Sequence, residues 1–291
     1  LFQTRPTISL NKKLRAYLLI SLLAICWGSI PLIIRTSDVS SLSLVGIRTF
    51  LGSIFLLIFV LQRRQITKDL LYSGIFLGPL LAIHWSTMFK SIELNTVAIG
   101  IGLVFSYPIF ILIIEFFRGR NIKLFQVILI FTGFFGLYLL LDFSTISSSI
   151  GVVYGLVSAF SLAILIIYGS SKSLKFGGLN VAFVQVSFAA IILSPFTYDG
   201  FSWMLDNILV SMFLGFFLTG VGLTTYWYVI KFISPVSIGT ITYLEPVTGV
   251  ILGAMILNES LRISQYIGFA IVLLIGIAQV IIDTKNQAQA F

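Results

Sequence analysis

The chain is poor in the residues on which metal proteins depend. Its 291 residues include one cysteine, Cys26, and one histidine, His84. An internal disulfide needs two cysteines, and an ordinary structural zinc site takes four cysteine or histidine ligands, so both are excluded. The sequence also has no HExxH, GxSxG or Walker motif. We therefore predict a protein that is not an enzyme and that uses neither a metal nor another cofactor.

Charged residues are scarce as well. They make up 10% of the chain, compared with roughly a quarter of an average soluble domain. Hydrophobic residues reach 58% and the mean hydropathy is +1.09, so we expect most of the chain to lie in a lipid bilayer. The net charge is +8, but the basic residues are spread over short loops. Because no clustered basic face results, we expect no nucleic-acid partner.

Apolar runs of about 20 residues, each long enough for one transmembrane helix, recur along the chain. The polar breaks between them are short, and no soluble domain fits in any of them. This pattern predicts an all-α integral membrane protein with ten transmembrane helices, at about 15–34, 40–61, 70–90, 96–117, 123–141, 150–170, 179–197, 205–230, 236–257 and 263–282.

Lysine and arginine are divided unevenly between the two sides of these spans. With the N-terminus inside, 14 of the 18 fall in cytoplasmic segments, 3 at external ends, and Arg48 within a span. Cytoplasmic loops of membrane proteins carry such an excess. We therefore predict a multi-pass protein of a bacterial-type cytoplasmic (inner) membrane, with cytoplasmic tails at 1–14 and 284–291 and an external linker at 142–149.

Spans four and nine resemble each other. The matching segments lie about 138 residues, or five spans, apart: Ala98-Ile99-Gly100 with Ser237-Ile238-Gly239, and Tyr107-Pro108 with Glu245-Pro246. An odd number of spans turns the second copy upside down. We therefore predict two inverted five-helix repeats, 15–141 and 150–283, as in many secondary transporters. Structural roles in these repeats are expected for Gly100, Pro108, Gly239 and Pro246.

These features resemble the ten-helix drug/metabolite transporter superfamily, in particular its EamA-type members, over about residues 15–283. The resemblance rests on Trp27-Gly28, Arg48, Tyr107-Pro108, Tyr243-Leu244-Glu245-Pro246 and Leu257-Asn258-Glu259. The chain departs from the family pattern at Asn258, where glycine is usual, and at Arg120-Asn121, where Gly-Glu is expected. The resemblance implies solute transport, but the family's substrates are too varied to indicate one.

Charged and titratable groups at bilayer depth are costly and need a partner or a function. Glu245 either faces a central cavity and binds a proton or a cationic group, or is a protonated carboxyl that ties a kinked helix to its neighbour. His84 is either a contact for solute or proton, or a hydrogen-bonded packing residue. Arg48 either forms a structural ion pair or points its side chain to the membrane interface, or else it is an anion site for a substrate carboxylate.

Amphipathic aromatic residues at bilayer depth have two possible roles. They form either interfacial belts or the wall of a cavity for organic solutes, where they could also hold a cation together with Glu245. As candidates for the substrate-binding wall we take Trp27, Trp85, Tyr107, Tyr226 and Tyr243, in addition to Glu245 and His84.

Together these features predict a secondary transporter that moves small organic solutes or metabolites, such as an amino acid or an amine. It would work by alternating access around a cavity lined by spans one, three, four, eight and nine. Without an ATP-binding motif, an ion gradient, with the proton as candidate, or the solute gradient must drive it. The alternative is a non-transporting membrane scaffold or sensor, which would need a partner-binding segment that the short tails do not offer.

Overall fold

The computed structural model describes residues 10–63, 66–95, 97–119, 122–141, 147–257 and 262–288. Every element in these ranges is helical. In chain order they are α1 Leu10–Trp27, α2 Ile30–Thr36, α3 Ser41–Arg63, α4 Lys68–Leu94, α5 Val97–Val104, α6 Tyr107–Phe117, α7 Leu124–Leu141, α8 Ser149–Phe176, α9 Gly178–Ile192, α10 Ser194–Asp199, α11 Phe201–Asp206, α12 Ile208–Met212, a π-helix Phe213–Val221, α13 Gly222–Val229, α14 Pro235–Ile241, α15 Leu244–Leu257 and α16 Ile263–Ala288.

Seven helical stretches are long and apolar enough to cross a membrane: Leu10–Thr36, Ser41–Gln62, Lys68–Leu94, Ile99–Phe117, Ser149–Phe176, Ile208–Val229 and Ile263–Ile282. Three shorter apolar helices are Leu124–Leu140, Gly178–Ile192 and Ser237–Leu252. The outer surface carries many exposed large apolar side chains, for example Phe76 and Leu274. Such a surface is stable in lipid and not in water, and the chain is an all-helical, multi-pass membrane protein.

The predicted spans one, four and nine each consist of two helices rather than one. Breaks at Gly28-Ser29, Phe105-Ser106 and Thr242-Tyr243 separate α1 from α2, α5 from α6, and α14 from α15. A proline lies in the first turn of each following helix, at Pro31, Pro108 and Pro246. Proline is tolerated there because the backbone N–H groups of a first turn have no partner within the helix. Pro108 and Pro246 therefore begin the second segments of spans four and nine.

Span eight is the least regular part of the described chain. The predicted helix 205–230 is divided into α11, α12, the π-helix and α13. Inside the π-helix the Thr219 hydroxyl donates to the Leu214 carbonyl, five residues earlier, at 2.7 Å. The π-helix lies against α3, where Gly215 faces Leu51 and a Cβ on Gly220 would lie 2.5 Å from Phe55. Widened turns of this kind are often found at functional sites.

The segments before and after residue 147 pack against each other through several pairs of helices. The long helix α4 packs between α8 and α9, and the π-helix and α13 pack against α3 and α1. Three further pairs join the parts directly: α3 with α9, α6 with α14, and α7 with α16. The sequence features at Arg120-Asn121 and Asn258-Glu259 lie outside the described residues.

Candidate functional site

A cavity of about 80 Å³ lies between the segments that precede and follow residue 147. A buried water needs only ~10–15 Å³, so the space suits a small solute. Most of the wall is apolar, including Ile30, Leu81, Phe105 and Leu165. The lining side chains that carry nitrogen or oxygen are Trp27, Arg48, His84, Trp85, Tyr107, Gln185, Tyr226, Trp227, Thr242 and Glu245.

Arg48 reaches the cavity from α3 and is 1% exposed. Its Nε donates to the Thr219 hydroxyl at 3.0 Å, and the guanidinium carbon lies 3.8 Å from the centre of the Trp85 ring. These contacts hold the guanidinium in one orientation. Its Nη1 is buried and has no hydrogen-bond partner among the described residues. The arginine is thus held in place with one donor group unused.

Glu245 is the second residue of α15 and lines the cavity with a partly exposed side chain. Among the described residues its carboxylate accepts no hydrogen bond and forms no direct salt bridge, but its charge and that of Arg48 act on each other. The positive end of a helix dipole favours an acid in the first turn, where Glu245 lies. Its backbone is closely covered, because a Cβ on Gly28 would lie 2.7 Å from the Glu245 carbonyl oxygen. The break between α1 and α2 therefore packs on the start of α15.

His84 lines the same cavity from α4 but is firmly held on one side. The Ser158 hydroxyl donates to the His84 carbonyl at 2.9 Å, and its oxygen lies 2.8 Å from His84 Nδ1. Because the hydroxyl proton is already used, Nδ1 must be the donor to Ser158, and the neutral ring then carries its proton there. The histidine joins α4 to α8 and also borders the cavity.

Two aromatic side chains line the cavity next to the π-helix. Trp27 donates from Nε1 to the Leu218 carbonyl at 2.8 Å, and its ring centre lies 6.0 Å from that of Tyr226. The Tyr226 hydroxyl is buried and has no partner among the described residues. The predicted wall residues Trp27, Trp85 and Tyr226 are therefore brought together with Arg48.

Tyr107 connects the two broken helices. The Thr242 hydroxyl donates to the Gly239 carbonyl at 3.0 Å, so Tyr107 is the donor in its 2.7 Å bond to Thr242. A Cβ on Gly239 would lie 3.3 Å from both the Tyr107 hydroxyl and Pro108, which leaves little room for a side chain. The breaks of spans four and nine thus meet at the cavity wall.

The structure does not bring Tyr243 to the cavity. Its ring packs on Phe105, with ring centres 5.9 Å apart, and its hydroxyl points to the Ile130 carbonyl at 3.4 Å. Gly133 provides the space, since a Cβ there would lie 2.5 Å from the Tyr243 ring. Gly100 has a comparable packing role, because its Cβ would lie 2.5 Å from Ile92 where α5 turns back along α4.

Spans two, six and seven also line the cavity, although the sequence analysis did not assign them to it. Span seven contributes Gln185, whose Oε1 accepts from Trp227 Nε1 at 2.7 Å. A single amide in the middle of an apolar run was a signal that could have found Gln185. No sequence pattern indicated that Thr219 would accept a hydrogen bond from Arg48, because this contact depends on the π-helix.

The family profile described as the EamA-like transporter family matches the chain twice, at residues 14–142 and 149–282. This chain belongs to the EamA-like transporter family. Similar members include an "Uncharacterized transporter" of Archaeoglobus fulgidus, 23% identical over 87% of this chain and 92% of the relative. The "Uncharacterized transporter YvbV" of Bacillus subtilis is 26% identical over 95% and 94% of the two chains.

The "Uncharacterized inner membrane transporter YedA" of Escherichia coli K12 is 25% identical over 86% of this chain and 85% of the relative. A solved crystal structure superposes with a TM-score of 0.72, at 16% identity, over 93% of this chain and 99% of that chain. At this identity the superposition establishes the fold alone. As an EamA-like family member, the chain is a membrane transporter.

Proposed function

We propose that the protein is a secondary transporter that moves small organic solutes across a bacterial-type cytoplasmic membrane by alternating access. In this proposal the seven long and three shorter apolar helices are ten membrane crossings, grouped as inverted repeats at 15–141 and 150–283. The observation that carries this proposal is the shared cavity. It receives Arg48 from the first repeat and Glu245 from the second, beside the breaks of two discontinuous helices. Transporters commonly bind solutes at such breaks.

The contacts between the repeats support the inverted arrangement. A two-fold axis exchanges span one with six, two with seven, three with eight, four with nine and five with ten. The direct pairs α3–α9, α6–α14 and α7–α16 are spans two with seven, four with nine and five with ten. The packing of α4 on α8 and α9 has its counterpart in the packing of span eight on α1 and α3. The two matches of the family profile support the same division.

We assign substrate contact to Glu245, Trp27, Trp85, Tyr107 and Tyr226, with His84 as a wall residue held by Ser158. Glu245 is the candidate for binding a proton or a cationic group, because it lines the cavity and its carboxylate accepts no hydrogen bond from a described residue. Tyr243 has an indirect role in this proposal, through its packing on Phe105.

Flux measurements in proteoliposomes test the proposal. Radiolabelled amino acids, amines and carboxylic acids are screened for uptake with and without an imposed proton gradient. We expect saturable uptake of at least one class. In Leu165→Trp a large ring fills the cavity wall and should abolish uptake, whereas Ile191→Trp adds the same ring at an exposed apolar position and should not. If no solute moves in folded protein, a scaffold or sensor becomes the better assignment.

A further inference from the structure

Three cavity-lining side chains have a polar atom that is buried and unpartnered within the described chain: Arg48 Nη1, Gln185 Nε2 and the Tyr226 hydroxyl. Two of these atoms can only donate hydrogen bonds, and the third can donate or accept. Buried polar atoms are normally paired, because an unpaired one loses its hydration without compensation. Donors that share one cavity therefore call for an acceptor from the ligand.

The orientation of Gln185 is fixed by its neighbour. The indole Nε1–H of Trp227 can only donate, and it lies 2.7 Å from the atom assigned as Gln185 Oε1. The opposite amide orientation would place two donors face to face. Nε2 is therefore the atom left without a partner, and it must act as a donor. Gln185 is 0% exposed and Trp227 is 0% exposed, so this pair is a fixed part of the wall.

Arg48 adds a positive charge to these donors. Its Nε donates to Thr219, and the face of its guanidinium packs on the Trp85 ring. The edge that carries Nη1 is therefore available to a ligand. A guanidinium edge matches the planar carboxylate, because its parallel N–H groups can face the two carboxylate oxygens. The charge of Glu245 offsets that of Arg48, but no described residue accepts a hydrogen bond from the buried Nη1, which an anionic ligand could do.

The repeat places Arg48 and Gln185 at corresponding positions. They lie 137 residues apart, within one residue of the spacing between Tyr107 and Glu245. They stand on α3 and α9, which pack directly against each other. In addition, Tyr107 and Glu245 lie in the first turns of α6 and α15 and line the cavity. The positive ends of two helix dipoles therefore lie at its wall.

We propose that the transported solute carries a carboxylate, which binds to Arg48 Nη1 and Gln185 Nε2, with the Tyr226 hydroxyl as a further donor. This inference rests on the proposed transport function and specifies its substrate class. The aromatic and aliphatic wall holds the organic part of the solute. Glu245 lies on the same cavity and repels the carboxylate, so it is not part of the anion contact.

Tryptophan fluorescence of the full chain in detergent tests this proposal. The chain has 4 tryptophans, and Trp85 lies directly under the Arg48 guanidinium, so a bound anion should change its emission. The probes are benzoate, benzamide and benzylamine, which share one ring and differ only in the polar group. We expect benzoate to bind at least tenfold more tightly than the other two, and chloride at the same concentration not to compete.

Four variants separate the contacts. Gln185→Glu can still accept from Trp227 but turns an acidic oxygen toward the carboxylate, and should weaken benzoate binding at least tenfold. Arg48→Lys keeps the charge without the guanidinium edge and should also weaken it at least tenfold. Glu245→Gln removes a negative charge and should tighten it. Arg35→Gln, at an exposed arginine, is the matched control and should leave benzoate binding unchanged.

The proposal is overturned if benzamide or benzylamine binds as tightly as benzoate, if chloride competes equally, or if folded Gln185→Glu and Arg48→Lys bind benzoate normally. A parallel flux assay separates this failure from failure of the transport proposal. If amines move in proteoliposomes while carboxylates neither bind nor move, the carboxylate site is wrong and transport stands. If no solute moves at all, the transport proposal itself is wrong.

Discussion

Arg48 and Glu245 line one cavity and act on each other's charge, although neither forms a direct salt bridge among the described residues. A charge at bilayer depth costs several kcal/mol, so both positions could be selected from the sequence by depth alone. Their surroundings could not be predicted in the same way. The Thr219 contact of Arg48 requires the π-helix, and the Gln185 orientation requires Trp227 from a distant helix. Long-range partners of this kind leave no local pattern in a sequence.

At this scale we predict that Glu245→Gln lowers transport of a cationic or proton-coupled solute roughly tenfold or more, because a charge-assisted contact of ~1.5–3 kcal/mol is lost. The substitution keeps the shape of the side chain, so expression and thermal stability should persist. Uptake is measured in proteoliposomes between about pH 5 and 8. Asp199→Asn, at the exposed last residue of α10, is the control. If the variant shows normal uptake and normal solute affinity across this pH range, Glu245 is only a packing residue.

The helical elements were predicted better than their interruptions. Each apolar run used in the prediction overlaps an apolar helix of the described residues, and the matched prolines indicated where spans four and nine are interrupted. The structure adds that Pro108 and Pro246 each lie in the first turn of a new helix. The π-helix of span eight was not predicted, because Phe213–Val221 contains no proline and has the apolar composition of an ordinary membrane helix. Tyr243 was placed near the cavity by depth, but depth does not say which way a side chain points.

Gly28 provides a test of how these elements fit together. A Cβ there would lie 2.5 Å from Thr248 Cβ and 2.7 Å from the Glu245 carbonyl. We predict that Gly28→Ala costs about 1–3 kcal/mol, a typical cost of overpacking, and lowers transport because the start of α15 moves.

Gly249→Ala is the matched control for this substitution. Its Cβ would meet its nearest neighbour, the Gly28 carbonyl, at 3.4 Å, which is an ordinary contact. Thermal unfolding in detergent compares the two variants. Equal melting temperatures would contradict the close approach of α1 and α15.

At the scale of the whole molecule, the family profile matches the chain twice, at 14–142 and 149–282, and the repeat boundaries 15–141 and 150–283 stay a prediction from the sequence. Composition alone sufficed for the membrane location and the helical class, because no soluble fold covers so apolar a chain. The relation of each helix to the two sides of the membrane stays a prediction based on the distribution of lysine and arginine.

We predict that single cysteines placed at Ser147 and Asp199, in a background where Cys26 is replaced by serine, react with an impermeant thiol reagent in intact cells. Cysteines at Arg64 and Lys172 should react only after the membrane is permeabilised, because both belong to predicted cytoplasmic segments. Chemical labelling followed by gel shift measures this. The reverse labelling pattern would place both termini outside and refute the orientation.

The opposite charges of Arg48 and Glu245 have a consequence for the electrical behaviour of the transporter. With both side chains ionised, the empty cavity carries no net charge, and the membrane potential does little work on its reorientation. A bound monocarboxylate makes the loaded cavity negative, so a potential of 100 mV changes that step by at most about 2.3 kcal/mol. In Glu245→Gln the empty cavity becomes positive and the loaded one neutral. The voltage-dependent step should therefore be the reorientation of the loaded carrier in the unsubstituted protein and of the empty carrier in Glu245→Gln. Benzoate flux measured at membrane potentials set with potassium and valinomycin tests this difference.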